Sequence, residues 1–271
     1  MGQLKDIPFE EESLEIKDRV KKYWNNRAEG FYEMRCHEIE SIKASRWQKE
    51  IMNNAPSGNI KDLNNKTENN DTKNIQPETL KILDIGCGAG FFEIILGKLG
   101  ADITGIDLTE NMVSKACEMI KHYGLNEKAR ALQMDAENLS FADESFDMII
   151  TRNLTWTLPH PIEAYGEWKR VLKKGGVLLN FDAEYAKGAH NLKQPENLAH
   201  RLISDELKDE CHEIYHMLTI SNLSRPDWDK EVLRKLGFTS IETDPGFGSR
   251  IYIEQDEFYI PDKMFMIKAI K

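Results

Sequence analysis

An α/β fold, a doubly wound and mostly parallel sheet, is predicted by three features of the sequence. From Thr79 onward, short apolar runs alternate with amphipathic segments, the pattern of successive βαβ units. A glycine-rich loop within ILDIGCGAGF, Ile82 to Phe91, directly follows the first of these runs. Acidic residues, Asp107 and Asp135, close the second and third. In such sheets ligands bind at the carboxyl ends of the strands, where this loop would lie.

The elements follow from periodicity. From about Ser13 to Asn53, Ile16, Val20, Tyr23, Trp24, Phe31 and Met34 recur at three- and four-residue spacing, which predicts helix. Asn53 to Gln76 is rich in Asn, Lys, Asp and Thr and offers little to bury. Residues 1–54 therefore read as an N-terminal helical cap, 55–78 as a flexible linker or loop, and 79–271 as the main domain. Within it, strands are expected at Lys81–Ile85, Asp102–Leu108, Ala129–Met134, Phe146–Thr151 and Val177–Asp182. Helices are expected at Phe91–Leu99, from about Glu110 to His122, and at Pro161–Leu172, stopped by Gly175-Gly176. A polar, His-containing insertion of helices spans about 185–227. A helix at Asp227–Leu236 and strands at Phe238–Asp244 and Met264–Ile270 complete the pattern.

Bulk composition narrows the function. The chain has 271 residues, 40% of them hydrophobic, enough for a sizeable core. A net charge of −10 without a basic stripe argues against a nucleic-acid partner. Cys36, Cys87, Cys117 and Cys211 form no CxxC pair and read as reduced thiols. The charged opening MGQLKDIPFEEE lacks an apolar signal core, and no apolar run is long enough to span a bilayer. The expectation is a soluble, cytoplasmic monomer or homodimer.

The glycines of the loop, Gly86, Gly88 and Gly90, alternate with Cys87 and Ala89 instead of following the G-x-G-x-x-G dinucleotide spacing. No Gly-Lys-Ser/Thr follows, which excludes a P-loop. Asp84, just before the loop, would repel a pyrophosphate but could accept from an amino acid's ammonium. Asp107 lies 21 positions after Gly86 and suits ribose hydroxyls, a feature shared with NAD enzymes. Asp135, Ala136 and Glu137 close the third strand, where a carboxylate could accept from an adenine amino group.

LDIGCGAG, GIDLTENMV, MDAENLSF, FDMIITRN and EWKRVLKKGGVLLNFD, in this order, resemble the motifs of class I S-adenosylmethionine-dependent methyltransferases. They are most similar to the small-molecule, ubiquinone/menaquinone-type branch (methyltransferase type 11). The resemblance covers about Lys81 to Asp182 closely and Phe238–Ile270 loosely. It implies a seven-stranded Rossmann-like sheet with an antiparallel last strand, an N-terminal helical extension and a helical lid inserted after strand 5. It also implies S-adenosyl-L-methionine as cofactor, S-adenosyl-L-homocysteine as product and a small-molecule acceptor.

Carried over by residue, the resemblance puts the Gly86, Cys87, Gly88 and Gly90 backbone on the methionine part of the cofactor, with Asp84 near its amino group. Asp107 would hold the ribose, and Leu108 and Met112 would flank the adenine. Asp135, Ala136 and Glu137 would meet its edge, and Arg152 and Asn153 would line the methionine side. Tyr23 and Arg27, in a segment resembling the family's YW..RA..Y, could reach the carboxylate or the sulfonium. Toward the acceptor, Trp156, Asp182 and Tyr185 are candidate binding residues and His160 a candidate base.

The insertion contains His212-Glu213-Ile-Tyr-His216, a literal HExxH. The methyltransferase context around it argues for a lid helix with no metal. Loss of transfer activity, leaving a cofactor-binding regulatory protein, is the alternative in another class.

Overall fold

The computed structural model describes residues 10–56, 79–185, 187, 193–200 and 203–271. Most of the expected 55–78 linker, and His190 of the insertion, lie outside the described residues.

Seven strands form one sheet in the order β3-β2-β1-β4-β5-β7-β6. They are β1 (Lys81–Ile85), β2 (Asp102–Asp107), β3 (Ala129–Gln133), β4 (Phe146–Arg152), β5 (Leu172–Asp182), β6 (Thr239–Asp244) and β7 (Phe265–Ile270). Pairing is parallel from β3 through β5, while β7 runs antiparallel to both β5 and β6. The strands read as near-continuous apolar runs because both faces are covered. Ile82, Met148, Ile150, Leu179 and Phe181 pack into one core cluster. Their neighbours Leu83, Ile149 and Leu178 pack into the other, as the period of two requires.

The first core lies under α1 (Glu10–Glu40), α2 (Ile42–Asn54), α3 (Phe91–Gly97) and α4 (Glu110–His122). The second lies under α5 (Pro161–Val171) and α7 (Asp227–Lys235). The insertion contributes α6 (Asp205–Met217), and a short α8 (Phe247–Ile251), absent from the sequence expectation, precedes β7.

Two local boundaries differ from expectation for physical reasons. The helix expected to run from Ser13 to Asn53 breaks at Ser41, whose hydroxyl accepts from the Lys43 amide at 3.2 Å and so starts α2. Strand β5 begins at Leu172 instead of Val177, running through Gly175-Gly176 with a register shift opposite Phe146 and Met148. A side chain at Gly176 would meet the Asp147 carbonyl at 2.9 Å, so the bulge admits glycine.

The N-terminal helices share the main core. Trp47 of α2 is fully buried, edge-on to Phe92 at 5.2 Å and Phe181 at 5.0 Å, and tilted against Phe247 of α8 at 5.1 Å. Lys43, also fully buried, pairs with Asp256, and Arg46 pairs with Glu254 at 2.6 Å, fastening α2 to the segment after α8. Trp47→Ala should therefore cost about 3–5 kcal/mol, the range for deleting a large buried aromatic. Urea denaturation measures this; a loss under about 1 kcal/mol would show that α2 is not part of the core.

Candidate active site

The order of strands reverses between β1 and β4, and a cavity opens at their carboxyl ends. Its floor is the glycine loop. Gly86, Gly88 and Gly90 have φ of +75°, +53° and +91°, a region that side chains other than glycine enter at a cost. The amides of Gly86 and Cys87 donate to the Ile106 carbonyl at 2.8 and 2.9 Å, holding the loop against β2. Added Cβ atoms would approach Leu154 at 3.0 Å from Gly86 and Phe31 at 3.0 Å from Gly88. The bare backbone therefore forms part of the cavity wall.

Asp107, at the end of β2, ties the loop to α4. One carboxylate oxygen accepts from the Gly88 amide at 3.0 Å, and the other from the Thr109 amide and hydroxyl at 2.9 and 2.7 Å. Leu108, Met112, Asp135 and Ala136 line the cavity beyond it. Lys17 of α1 closes this end, donating to Asp135 at 2.7 Å and Glu137 at 2.6 Å.

Under the loop lies a pair of buried carboxyls. Glu93 of α3 is fully buried, and neither of its oxygens meets a donor among the described residues. Burial, with Asp84 alongside, pushes its pKa well above the carboxylate range. It thus keeps a proton to donate to Asp84. Burial also pushes Asp84 up to about 8, with Asp107 adding to the effect and Glu93 and Arg152 opposing it. Asp84 Oδ1 is buried and has no partner among the described residues.

At the end of β4, Arg152 lines the cavity and donates to Glu38 of α1 at 2.9 and 3.2 Å and to the Tyr252 hydroxyl. It also lies over the Trp47 ring at 4.6 Å. Asn153, with φ +57°, accepts from the Tyr185 hydroxyl at 2.8 Å. Tyr185 and Tyr215 stand 5.5 and 4.6 Å from Trp156, and Trp24 of α1 faces it at 6.5 Å. These four rings form an aromatic wall beneath α1 and α6.

Besides Asp84, six predicted residues stand off the cavity wall. His160 caps α5 and is held by Glu137, its amide at 2.7 Å and ring nitrogen at 3.0 Å; it is not on the cavity wall. Asp182 is fully buried and accepts from Arg225 at 2.7 Å and from the Trp156 amide at 3.1 Å. It thereby supports the aromatic wall from behind. Arg27 is buried next to cavity residues without lining the cavity itself. Glu137 serves Lys17 and His160 rather than the cavity surface. Gly90 and Cys87 shape the loop from beneath, Gly90 with its amide donating to the Cys87 carbonyl at 3.0 Å.

On α6 the HExxH helix turns Cys211 and Tyr215 to the cavity and leaves His216 exposed. The two imidazoles of His212 and His216 meet at 3.0 Å, and no cluster of three metal-ligating side chains occurs among the described residues.

His200 was not singled out by the sequence, because it lies on a 3₁₀ turn in the irregular insertion with no motif around it. It lines the cavity, its Nδ1 2.8 Å from the Asn197 side-chain oxygen, to which it donates. Burial, then Arg27, Arg35 and Lys208, push its pKa down to about 3, so the ring stays neutral.

Residues 83–180 match the model of a methyltransferase domain. The chain is similar to demethylmenaquinone methyltransferase of Staphylococcus haemolyticus, 31% identical over 170 residues, 60% of this chain and 70% of that protein. It is 34% identical over 99 residues to phosphatidylethanolamine N-methyltransferase of Cereibacter sphaeroides, covering 36% of this chain and 48% of that one. The chain spans less than two thirds of several curated relatives it matches. A solved structure from Methanococcus maripaludis shares the fold over 100% of this chain and 97% of that one, with a TM-score of 0.55 and 18% identity.

The carboxyl pair under the loop gives a pH dependence. Asp84 titrates near 8 in the folded chain and near ~3.9 when unfolded. Its folded pKa is thus raised, so its ionisation costs the fold progressively more from about pH 4 to about pH 8, then levels off. Asp84→Asn should stabilise the ligand-free protein at pH 8 by about 1–3 kcal/mol, the cost of an unsatisfied buried group, and change little at pH 4. Thermal unfolding at both pH values decides; an equal effect at the two would mean that Asp84 titrates normally.

Proposed function

The chain belongs to the class I S-adenosylmethionine-dependent methyltransferases, and from that premise we propose that it methylates a small molecule held in this cavity. The observation that carries the reading is the glycine loop, stitched to Asp107 through the Gly88 amide and opening into a chamber closed by α1 and α6.

The residues present fit the cofactor. The Gly86–Gly88 backbone leaves room that a Cβ would fill, as the methionine moiety requires. The orphaned Asp84 Oδ1 below the loop supplies a buried acceptor for an ammonium group. Asp107 at the strand end suits ribose hydroxyls, and Leu108, Met112 and Ala136 offer an apolar slot for adenine with Asp135 at its edge. Asn153 and Arg152 would lie on the methionine side. When bound, S-adenosylmethionine supplies a methyl group already activated by its sulfonium, transferred by in-line displacement.

What remains for the protein is alignment and exclusion of water. Good alignment of two reactants contributes about 7–11 kcal/mol. Trp24, Trp156, Tyr185 and Tyr215 would position the acceptor, and Asn153 fixes Tyr185 through their hydrogen bond. Asp182 holds Trp156 in place through its amide. His200, kept neutral with Nδ1 committed to Asn197, offers Nε2 to accept a hydrogen bond from the acceptor. His160, engaged by Glu137, has no such access.

Calorimetry with S-adenosylmethionine, S-adenosylhomocysteine and NAD tests the cofactor. Asp107→Ala should weaken S-adenosylhomocysteine binding at least tenfold, about 1.4 kcal/mol. Undiminished binding by that variant, or binding of NAD alone, would refute the reading. Release of S-adenosylhomocysteine across panels of thiols, amines, phenols and quinol precursors then identifies the acceptor.

A further inference from the structure

Resting on the methyl-transfer reading of this cavity, we infer that the acceptor carries a carbonyl or ether oxygen on a planar ring, and that the indole N–H of Trp156 holds that oxygen and selects for it.

Among the described residues, two side chains on the cavity wall have a buried polar atom without a hydrogen-bond partner, Arg152 at Nε and Trp156 at Nε1. Arg152 is otherwise engaged, by Glu38 and the Tyr252 hydroxyl. Trp156 has no such alternative. Nε1 is its one polar side-chain atom, and an indole N–H can only donate. The residue is 7% exposed, so water does not stand in as the partner from outside. A buried donor left unmade is costly and rare, and on a cavity wall it points to a partner that arrives with the ligand.

The indole is held where it stands. The Trp156 amide donates to the buried Asp182 carboxylate at 3.1 Å, and Arg225 holds Asp182 at 2.7 Å. The ring is tilted against Tyr215 of α6 at 4.6 Å and lies edge-to-face with Tyr185 at 5.5 Å and Trp24 of α1 at 6.5 Å. The Tyr185 hydroxyl is itself committed to Asn153. Fixed from the cap, the insertion and the sheet edge, Trp156 does not turn to another acceptor.

The same surroundings describe the ligand. Trp24, Tyr185 and Tyr215, with Tyr252 and Phe258 further along the wall, present ring faces and edges that a planar ring packs against. An indole N–H set among them gives nothing to a hydrocarbon or an ammonium and rewards an oxygen lone pair. His200, on the same cavity, has Nδ1 committed to Asn197 and reads the opposite sign, a donor. Two rivals could occupy the N–H. A trapped water needs two to four polar partners, and the rings packed on Trp156 present chiefly carbon. The cofactor's own oxygens belong with the glycine loop and Asp107, at the ends of β1 and β2, whereas Trp156 stands beyond β4 against the insertion.

Acetophenone and α-methylstyrene, which differ by a methylene in place of the carbonyl oxygen, test this on the full chain with and without S-adenosylhomocysteine. Calorimetry should show acetophenone bound about tenfold tighter. In magnetic resonance spectra of isotope-labelled indoles, Trp156→Phe identifies the Trp156 signal among the five tryptophans. Acetophenone should move that signal downfield, and α-methylstyrene should not. Trp156→Phe keeps a ring and removes the donor. It should bring the preference below about twofold while α-methylstyrene affinity stays within about threefold; a residue that only shaped the pocket would lose both probes together. Equal affinity of the two probes for the unaltered chain, or binding of neither, overturns the inference. So does a Trp156 signal already downfield and unmoved by either probe, which assigns the N–H to a trapped water. A shift on adding S-adenosylhomocysteine but not 5′-methylthioadenosine also overturns it, by giving the N–H to the amino-acid end of the cofactor. Should Trp156→Phe not fold, the preference of the unaltered chain still decides. Failure of the unaltered chain to bind S-adenosylhomocysteine falls on the methyl-transfer reading, while the probes on the free chain still test the indole.

Discussion

The carboxylate of Glu38 joins the cap to the sheet, and the cavity depends on that junction. It is fully buried on α1 and accepts from Arg152 at the end of β4, from Arg35 one turn back on its own helix, and from the Tyr252 hydroxyl at 3.3 Å. Burial acts against its charge, but the two guanidiniums outweigh that and hold its pKa below the usual range. A buried ion pair adds little net stability over apolar packing, yet stripping one partner costs about 3–5 kcal/mol. Its value here is positional: it fixes α1 over the switch point, so that Phe31 meets the loop and Trp24 meets Trp156.

Three charge systems divide the work around the chamber. The Lys17 contacts with Asp135 and Glu137 close one end between α1 and the segment after β3. Asp182, Arg225 and Asp229 form a buried chain behind the aromatic wall, joined by Tyr165 and Asn180. Under the loop, Asp84 and Glu93 hold two carboxyls where ionising both would be prohibitive, so at least one of them keeps its proton. The Lys17 system spans elements far apart in the chain and makes α1 integral to the site.

The aromatic wall sets the character of the far side of the cavity. Trp24, Trp156, Tyr185 and Tyr215 present large apolar faces with polar tips, suited to orienting a compact molecule while excluding water. His200 is held neutral by burial and by the positive charges of Arg27, Arg35 and Lys208.

The sequence by itself determined the strand-and-helix alternation, the glycine loop and the acidic strand ends. These are local: strand period, glycine at positive φ and a carboxylate after an apolar run are visible in a few consecutive residues, and Gly86, Gly88, Asp107 and Asp135 lie where their spacing implied. Only the tertiary structure decided which polar side chains are free to act. His160 and Asp182 occupy plausible positions in the chain, but Glu137 and Arg225, 23 and 43 residues away, claim them. His200 reaches the cavity wall only through the packing of the insertion. A side chain's availability depends on partners brought close by packing, and no window of sequence contains them.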